Sequence, residues 1–166
     1  MPPSEPDFFR IIEVLGRHRV DYILVGGLCG LLHGAPISTF DMDIVHSRTP
    51  ENLDRLLLAL QELGAIYRHS PHRRLVPGLS HLAAPGHQLL ATDAGPLDVL
   101  GTIGNGRGFE ELLDTTSEID VDGCRIRVLD LDQLIVSKEE AGRDQDLAVL
   151  PILRQTLALQ QAGKKP

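Results

Sequence analysis

Apolar positions fall into two periods along the chain, and the alternation between them predicts its elements. Phe8, Ile11, Ile12 and Leu15 recur at helical spacing, so a helix is expected from an Asp7 N-cap to about His18. The β-branched run Val20–Val25 reads as a buried strand that ends at Gly26-Gly27. That small-residue turn leads into a helix from about Leu28 to His33, broken by Gly34-Ala35-Pro36. Residues 39–45 alternate and read as a second strand. Thr49 and Pro50 then cap and open a helix that runs through Leu53, Leu56, Leu57 and Leu60 to Gly64. A poorly patterned stretch separates it from two strands, about 87–92 and 96–103, joined by a turn at Asp93-Ala94-Gly95. A short helix is expected at 109–113. Strands at 118–121 and 124–128 flank Asp122-Gly123, the strongest hairpin signal in the chain. Helices over 130–140 and 143–161, separated by Gly142, complete the pattern.

These elements predict an α/β (α+β) fold: a mixed sheet with helices packed on it, without the regular βαβαβ rhythm of a doubly wound protein. With 166 residues, the expectation is a single domain over 1–166 whose ends, 1–6 and 162–166, are loose. Sixteen basic residues against 23 acidic ones give a net charge of −7, which argues against coating nucleic acid by bulk charge; no DNA partner is expected. Six aromatic residues offer no base-stacking platform for reading single-stranded RNA. Cys29 and Cys124 lack a CxxC partner and read as small packing residues. No secretory pattern opens the chain and no apolar run reaches membrane-spanning length, so a cytoplasmic location is expected.

The charge is unevenly spread. Residues 63–92 hold Arg68, Arg73 and Arg74 and no acid, with four of the seven His. Clustered Arg suits phosphate, and these three are the candidates for contacting an anionic acceptor or a triphosphate; a solvated loop is the plainer reading. Asp41-Met42-Asp43 places two carboxylates on one face of a strand, roughly 7 Å apart. Like charges so placed repel, and a divalent cation between them relieves the repulsion; an exposed strand face without function is the alternative. Upstream, the turn at Gly26-Gly27 offers backbone N–H groups at a helix start, which suits phosphate. Downstream, Asp98 stands alone in the apolar run Pro96-Leu97-Asp98-Val99-Leu100. Buried there it needs either a metal or a partner such as Arg. Lys138 is one of only three Lys, the other two lying in the C-terminal tail. Arg143 and Asp146 sit at i and i+3 and can pair on one helix. His33 and His46 read as packing or surface residues.

Taken together, Val25-Gly26-Gly27, then Thr39-Phe40-Asp41-Met42-Asp43-Ile44, then a carboxylate on a later strand resemble the minimal nucleotidyltransferases of the polymerase-β superfamily. The segments Leu131–Lys138 and Gly142–Leu147 are similar to the lysine and arginine–aspartate segment of AbiEii-like, toxin–antitoxin-type nucleotidyltransferases. The resemblance spans residues 20 to 150. It implies that Asp41 and Asp43 hold two Mg²⁺ ions and that Asp98 joins one of them and helps activate an acceptor hydroxyl. It further implies that Gly26 and Gly27 let the chain approach the triphosphate, with Thr39 orienting a carboxylate or touching phosphate. Lys138 would lie near the phosphates, with Arg143 and Asp146 supporting the nucleotide site. Relatives often carry Arg where this chain has Ile37, and no large added helical substrate domain is expected. The expected activity is transfer of a nucleoside monophosphate from an NTP to a hydroxyl of tRNA, a protein or a small molecule such as an aminoglycoside or lincosamide. A macromolecular acceptor in a toxin–antitoxin setting is preferred. The competing readings are a non-catalytic, antitoxin-like partner-binding module that keeps the fold, and a metal-dependent phosphohydrolase, for which no HD dipeptide speaks.

Overall fold

A computed structural model describes residues 5–164. The elements are α1 (Phe8–Arg17), β1 (Tyr22–Val25), α2 (Gly26–Leu32), β2 (Met42–His46), α3 (Pro50–Glu62), β3 (Ile66–Tyr67), α4 (Leu79–Ala83), β4 (His87–Thr92), β5 (Gly95–Leu100), α5 (Phe109–Leu112), β6 (Thr116–Val121), β7 (Cys124–Leu129), α6 (Leu131–Ala141) and α7 (Asp144–Gly163). All seven strands form one sheet in the order β3-β4-β5-β2-β1-β7-β6. β2–β5 and β1–β7 pair in parallel, and the other pairs are antiparallel. The expected mixed sheet is therefore present, with its parallel pairs near the centre.

Local chemistry sets most boundaries. Asp7 accepts a hydrogen bond from Arg10 N at 3.1 Å and starts α1, which buries Ile11, Ile12, Val14 and Leu15. Thr49 caps α3 by accepting from Asn52 N at 3.3 Å, with Pro50 in its first turn. Asp122 and Gly123 both take positive φ, 50° and 87°, which matches the twist of the hairpin between β6 and β7. All four residues of β1 are buried, as a strand covered on both faces requires.

Several features depart from the pattern reading: Gly26 and Gly27 are the first residues of α2 rather than a turn before it, and β5 ends at Leu100 rather than at 103. β2 begins at Met42, not Thr39, because Thr39 Oγ1 donates to Asp41 O at 2.9 Å and turns the approach into a bend. Only Asp43 of the Asp-x-Asp pair is therefore on the ladder. The patternless stretch holds the two-residue edge strand β3, a 3₁₀ turn at Pro71–Arg73 and the short α4. At the ends, Asp7 N donates to Ala94 O at 2.7 Å and α7 continues through Gly163; the outermost residues of both expected loose ends lie outside the described ones. Apart from α5, the helices fall into two groups, α1 with α3 and α4, and α2 with α6 and α7; the second group meets the carboxylate-bearing face of the sheet. None of the described helices is long and apolar enough to cross a membrane.

Candidate active site

In the parallel pairing of β2 with β5, Asp43 stands directly opposite Asp98. Asp41 sits one bend upstream, and each of the three carboxylates offers an oxygen within 4.8 Å of the others. Asp98 is buried, while Asp41 and Asp43 are partly covered. Burial, followed by the charges of Asp41 and Asp98, pushes the Asp43 carboxyl up to about 8. Asp41 is also raised, first by burial and then by the charge of Asp98, while Arg68 and the Thr39 hydroxyl pull it back. One oxygen of Asp98, Oδ1, is buried and accepts no hydrogen bond. Three crowded carboxylates, two of them with raised carboxyls, are what a divalent cation relieves, and the all-oxygen donor set suits a hard ion such as Mg²⁺.

The chain around the cluster is drawn in tightly. Gly26 has φ +71°, and a Cβ there would run into the Asp43 carboxylate, lying 2.8 Å from its Cγ. A Cβ on Gly27 would meet Thr39 Oγ1 at 3.0 Å. The start of α2 is thus pressed against the carboxylates, which only small residues permit.

A cleft of about 480 Å³ opens over this cluster. Its far wall is the α6–α7 junction. There Asp146, 1% exposed, accepts from Arg143 Nε (2.7 Å), Nη2 (3.2 Å) and backbone N (3.3 Å), and from Lys138 Nζ (3.2 Å). Burial alone would raise the Asp146 carboxyl, but the hydrogen bonds from Arg143 and Lys138 outweigh it and hold it below its ordinary value. The same bond raises Arg143, with smaller contributions from the charges of Asp43 and Asp98. On the β4 side, Arg68 Nη1 donates to Leu90 O at 2.9 Å and lies 2.8 Å from Asp98 Oδ1, an ion pair out of line for a hydrogen bond. A smaller recess, about 170 Å³, shares Asp43 and Asp98 and continues toward His87, Leu89, Ile103 and Gly104.

The cleft brings together Gly26, Gly27, Thr39, Asp41, Asp43, Arg68, Asp98, Lys138, Arg143 and Asp146. It does not bring in Arg73 and Arg74. Both are exposed at the 3₁₀ turn, and Arg74 borders a separate hollow with Leu57, Leu60, Val76 and Pro77. Of the three arginines of the acid-free window, Arg68 lines the cleft, while Arg73 and Arg74 stand exposed outside it at the turn that begins with Pro71. His33 and His46 pair with the carbonyls of Leu129 and Leu82, and Cys29 is buried, as packing residues. Sequence reasoning missed Phe40, 75% exposed at the lip, and the apolar wall of Ile37, Leu134, Val149 and Leu153. An exposed aromatic beside Asp41 was the available signal for the first. The wall looks like ordinary helix core until the helices are docked.

No family model matches the chain, and no curated protein matches it. Solved structures do. A candidate nucleotidyltransferase from Thermotoga maritima aligns over 87% of this chain and 88% of its own, with 17% identity and a TM-score of 0.57. The lincosamide antibiotic adenylyltransferase LnuA, solved with lincomycin bound, aligns over 90% of this chain and 95% of its own, with 17% identity and a TM-score of 0.62. The chain therefore has a nucleotidyltransferase-like α/β fold.

Proposed function

We propose that the protein is a Mg²⁺-dependent nucleotidyltransferase that moves a nucleoside monophosphate from an NTP to a hydroxyl acceptor. The observation that carries this reading is the convergence of Asp41, Asp43 and Asp98, brought within one ion's reach against the start of α2. Asp41, Asp43 and Asp98 would hold the metal. Bound there, Mg²⁺ supplies Lewis-acid stabilisation of charge on the transferring phosphoryl group.

The chain's own groups supply the rest. Gly26 and Gly27 let the start of α2 close on Asp43 and Thr39, which brings the backbone to the edge of the cleft where a triphosphate would lie. Lys138 and Arg143, fixed by Asp146, present positive charge across the cleft, where developing negative charge is stabilised without reorganisation. Thr39 steadies the bend that aims Asp41. Asp98, deepest in the cluster, is placed to orient an acceptor hydroxyl or take its proton. The apolar wall at Ile37, Leu134, Val149 and Leu153 gives a base or acceptor ring a water-poor surface.

Among acceptors, we favour a small molecule over tRNA. Arg73 and Arg74 lie off the cleft, and its three cations, Arg68, Lys138 and Arg143, are held on the two carboxylates Asp98 and Asp146, so the described residues form no basic track leading RNA to it. The likeness to LnuA supports the same class. A toxin–antitoxin partner rests on the resemblance of residues 131–147 alone. Pyrophosphate release should rise when Mg²⁺, an NTP and a panel of aminoglycosides and lincosamides are supplied, and not when tRNA replaces them. An antitoxin-like, non-catalytic module would instead bind no NTP in calorimetry with Mg²⁺ present.

A further inference from the structure

Resting on the reading of the cleft as a metal and triphosphate site, we propose that Arg68 changes partners during loading. It is the counter-charge of Asp98 while the cation is absent, and a ligand of the triphosphate once the cation is bound.

Arg68 follows the edge strand β3, and its backbone N donates to Leu89 O at 3.0 Å, which anchors its Cα beside β4. From there the side chain reaches back over β4. Nη1 donates to Leu90 O at 2.9 Å, and that bond aims the guanidinium at the carboxylates. The same Nη1 lies 2.8 Å from Asp98 Oδ1 without hydrogen-bond alignment, and Oδ1 has no other partner. A permanent Arg–carboxylate bridge normally uses the two-pronged fork of the guanidinium. Here one nitrogen serves two oxygens, and no hydrogen bond from Nη2 or Nε is made among the described residues. The contact is electrostatic and open: Arg68 keeps 32% of its side chain exposed and lines the cleft. Its charge also reaches Asp41, which it helps to keep ionised.

A divalent cation on Asp98 and Asp43 would take the oxygen that Arg68 faces. Two positive charges cannot share it at contact distance in a partly buried site without strong repulsion. The guanidinium then turns its unused prongs into the cleft, where a triphosphate carries the complementary geometry. Arg68 thus disfavours the metal arriving alone and favours it arriving with its nucleotide, and metal and NTP binding become positively coupled.

The test uses Mn²⁺ as the probe, followed by paramagnetic resonance on the full chain, with and without a non-hydrolysable NTP. Arg68→Gln should bind Mn²⁺ alone about threefold to tenfold more tightly than the parent, because a competing charge is gone. The same variant should bind the Mn²⁺–nucleotide complex about tenfold more weakly, having lost a charge-assisted contact. Arg68→Lys keeps the charge without the fork; it should match the parent for Mn²⁺ alone and fall short with nucleotide, so it carries the test if the glutamine variant does not fold. Unchanged or weaker Mn²⁺ binding by Arg68→Gln would overturn the counter-charge role, and unchanged nucleotide affinity would overturn the phosphate role. Asp41→Asn/Asp43→Asn separates the layers. If it binds Mn²⁺ like the parent, the metal-site reading fails; if it loses Mn²⁺ while Arg68→Gln behaves as the parent, only the exchange fails.

Discussion

Asp43 carries the sharpest conflict in the molecule. Burial and two neighbouring carboxylates lift its carboxyl to about 8, whereas an unfolded chain ionises it near 4. The unfolded state therefore releases this proton first. The contribution of Asp43 to metal-free stability is full below about pH 4, declines as pH rises to about 8, and is flat above. Asp43→Asn removes the conflict and should stabilise the metal-free protein at neutral pH by about 1–2 kcal/mol, a Tm higher by roughly 3–6 °C, while abolishing metal binding. The linked prediction concerns the metal. Because the proton must leave before a cation binds, Mn²⁺ affinity should rise steeply between pH 6 and 8, and calorimetry in buffers of different ionisation enthalpy should detect proton release. Gly26 is the complement of Asp43. Gly26→Ala combines an unfavourable positive φ with collision against the carboxylate and should lower stability by about 2 kcal/mol or more, read as a loss of Tm.

At the scale of elements, the junction of α6 and α7 is held by one buried carboxylate. Asp146→Ala strips Lys138 and Arg143 of their common partner. Thermal unfolding should show a loss of about 2–4 kcal/mol, and KM for the nucleotide should rise more than kcat falls, because the cations lose their placement. How far these elements were legible follows from the physics of each. Helices and hairpins with caps and turn pairs, such as Asp7, Thr49-Pro50 and Asp122-Gly123, announce themselves locally. Asp41, Asp43 and Asp98 were legible because carboxylates at strand positions contradict their surroundings. β3 was not legible: two residues carry no period, and the strand exists only because β4 is there to pair with it. The bend at Thr39 was hidden for a similar reason, since alternation continues through it while a side-chain hydrogen bond ends the ladder. The ion pair of Arg68 with Asp98 spans two strands and needed the sheet order. The sequence could pose a metal or an arginine for Asp98; the fold supplies the arginine and leaves room for the metal.

Across the whole molecule, the surplus of acid and the position of the arginines point the same way. A net charge of −7, with Arg73 and Arg74 outside the cleft, gives a polyanion little to hold there. Arg73→Ala/Arg74→Ala should leave the affinity for the metal–nucleotide complex unchanged in calorimetry, in contrast to any change at Arg68. Filter binding at physiological salt should find no retention of tRNA beyond non-specific levels. The central claim, transfer of a nucleotide, is tested most directly by supplying Mg²⁺, each α-³²P-labelled ribonucleoside triphosphate and cell extract as acceptor source, beside an Asp41→Asn/Asp43→Asn control. Label is expected on a hydroxyl-bearing product, small rather than macromolecular, that the control does not make. Absence of label above the control with every nucleotide would contradict it.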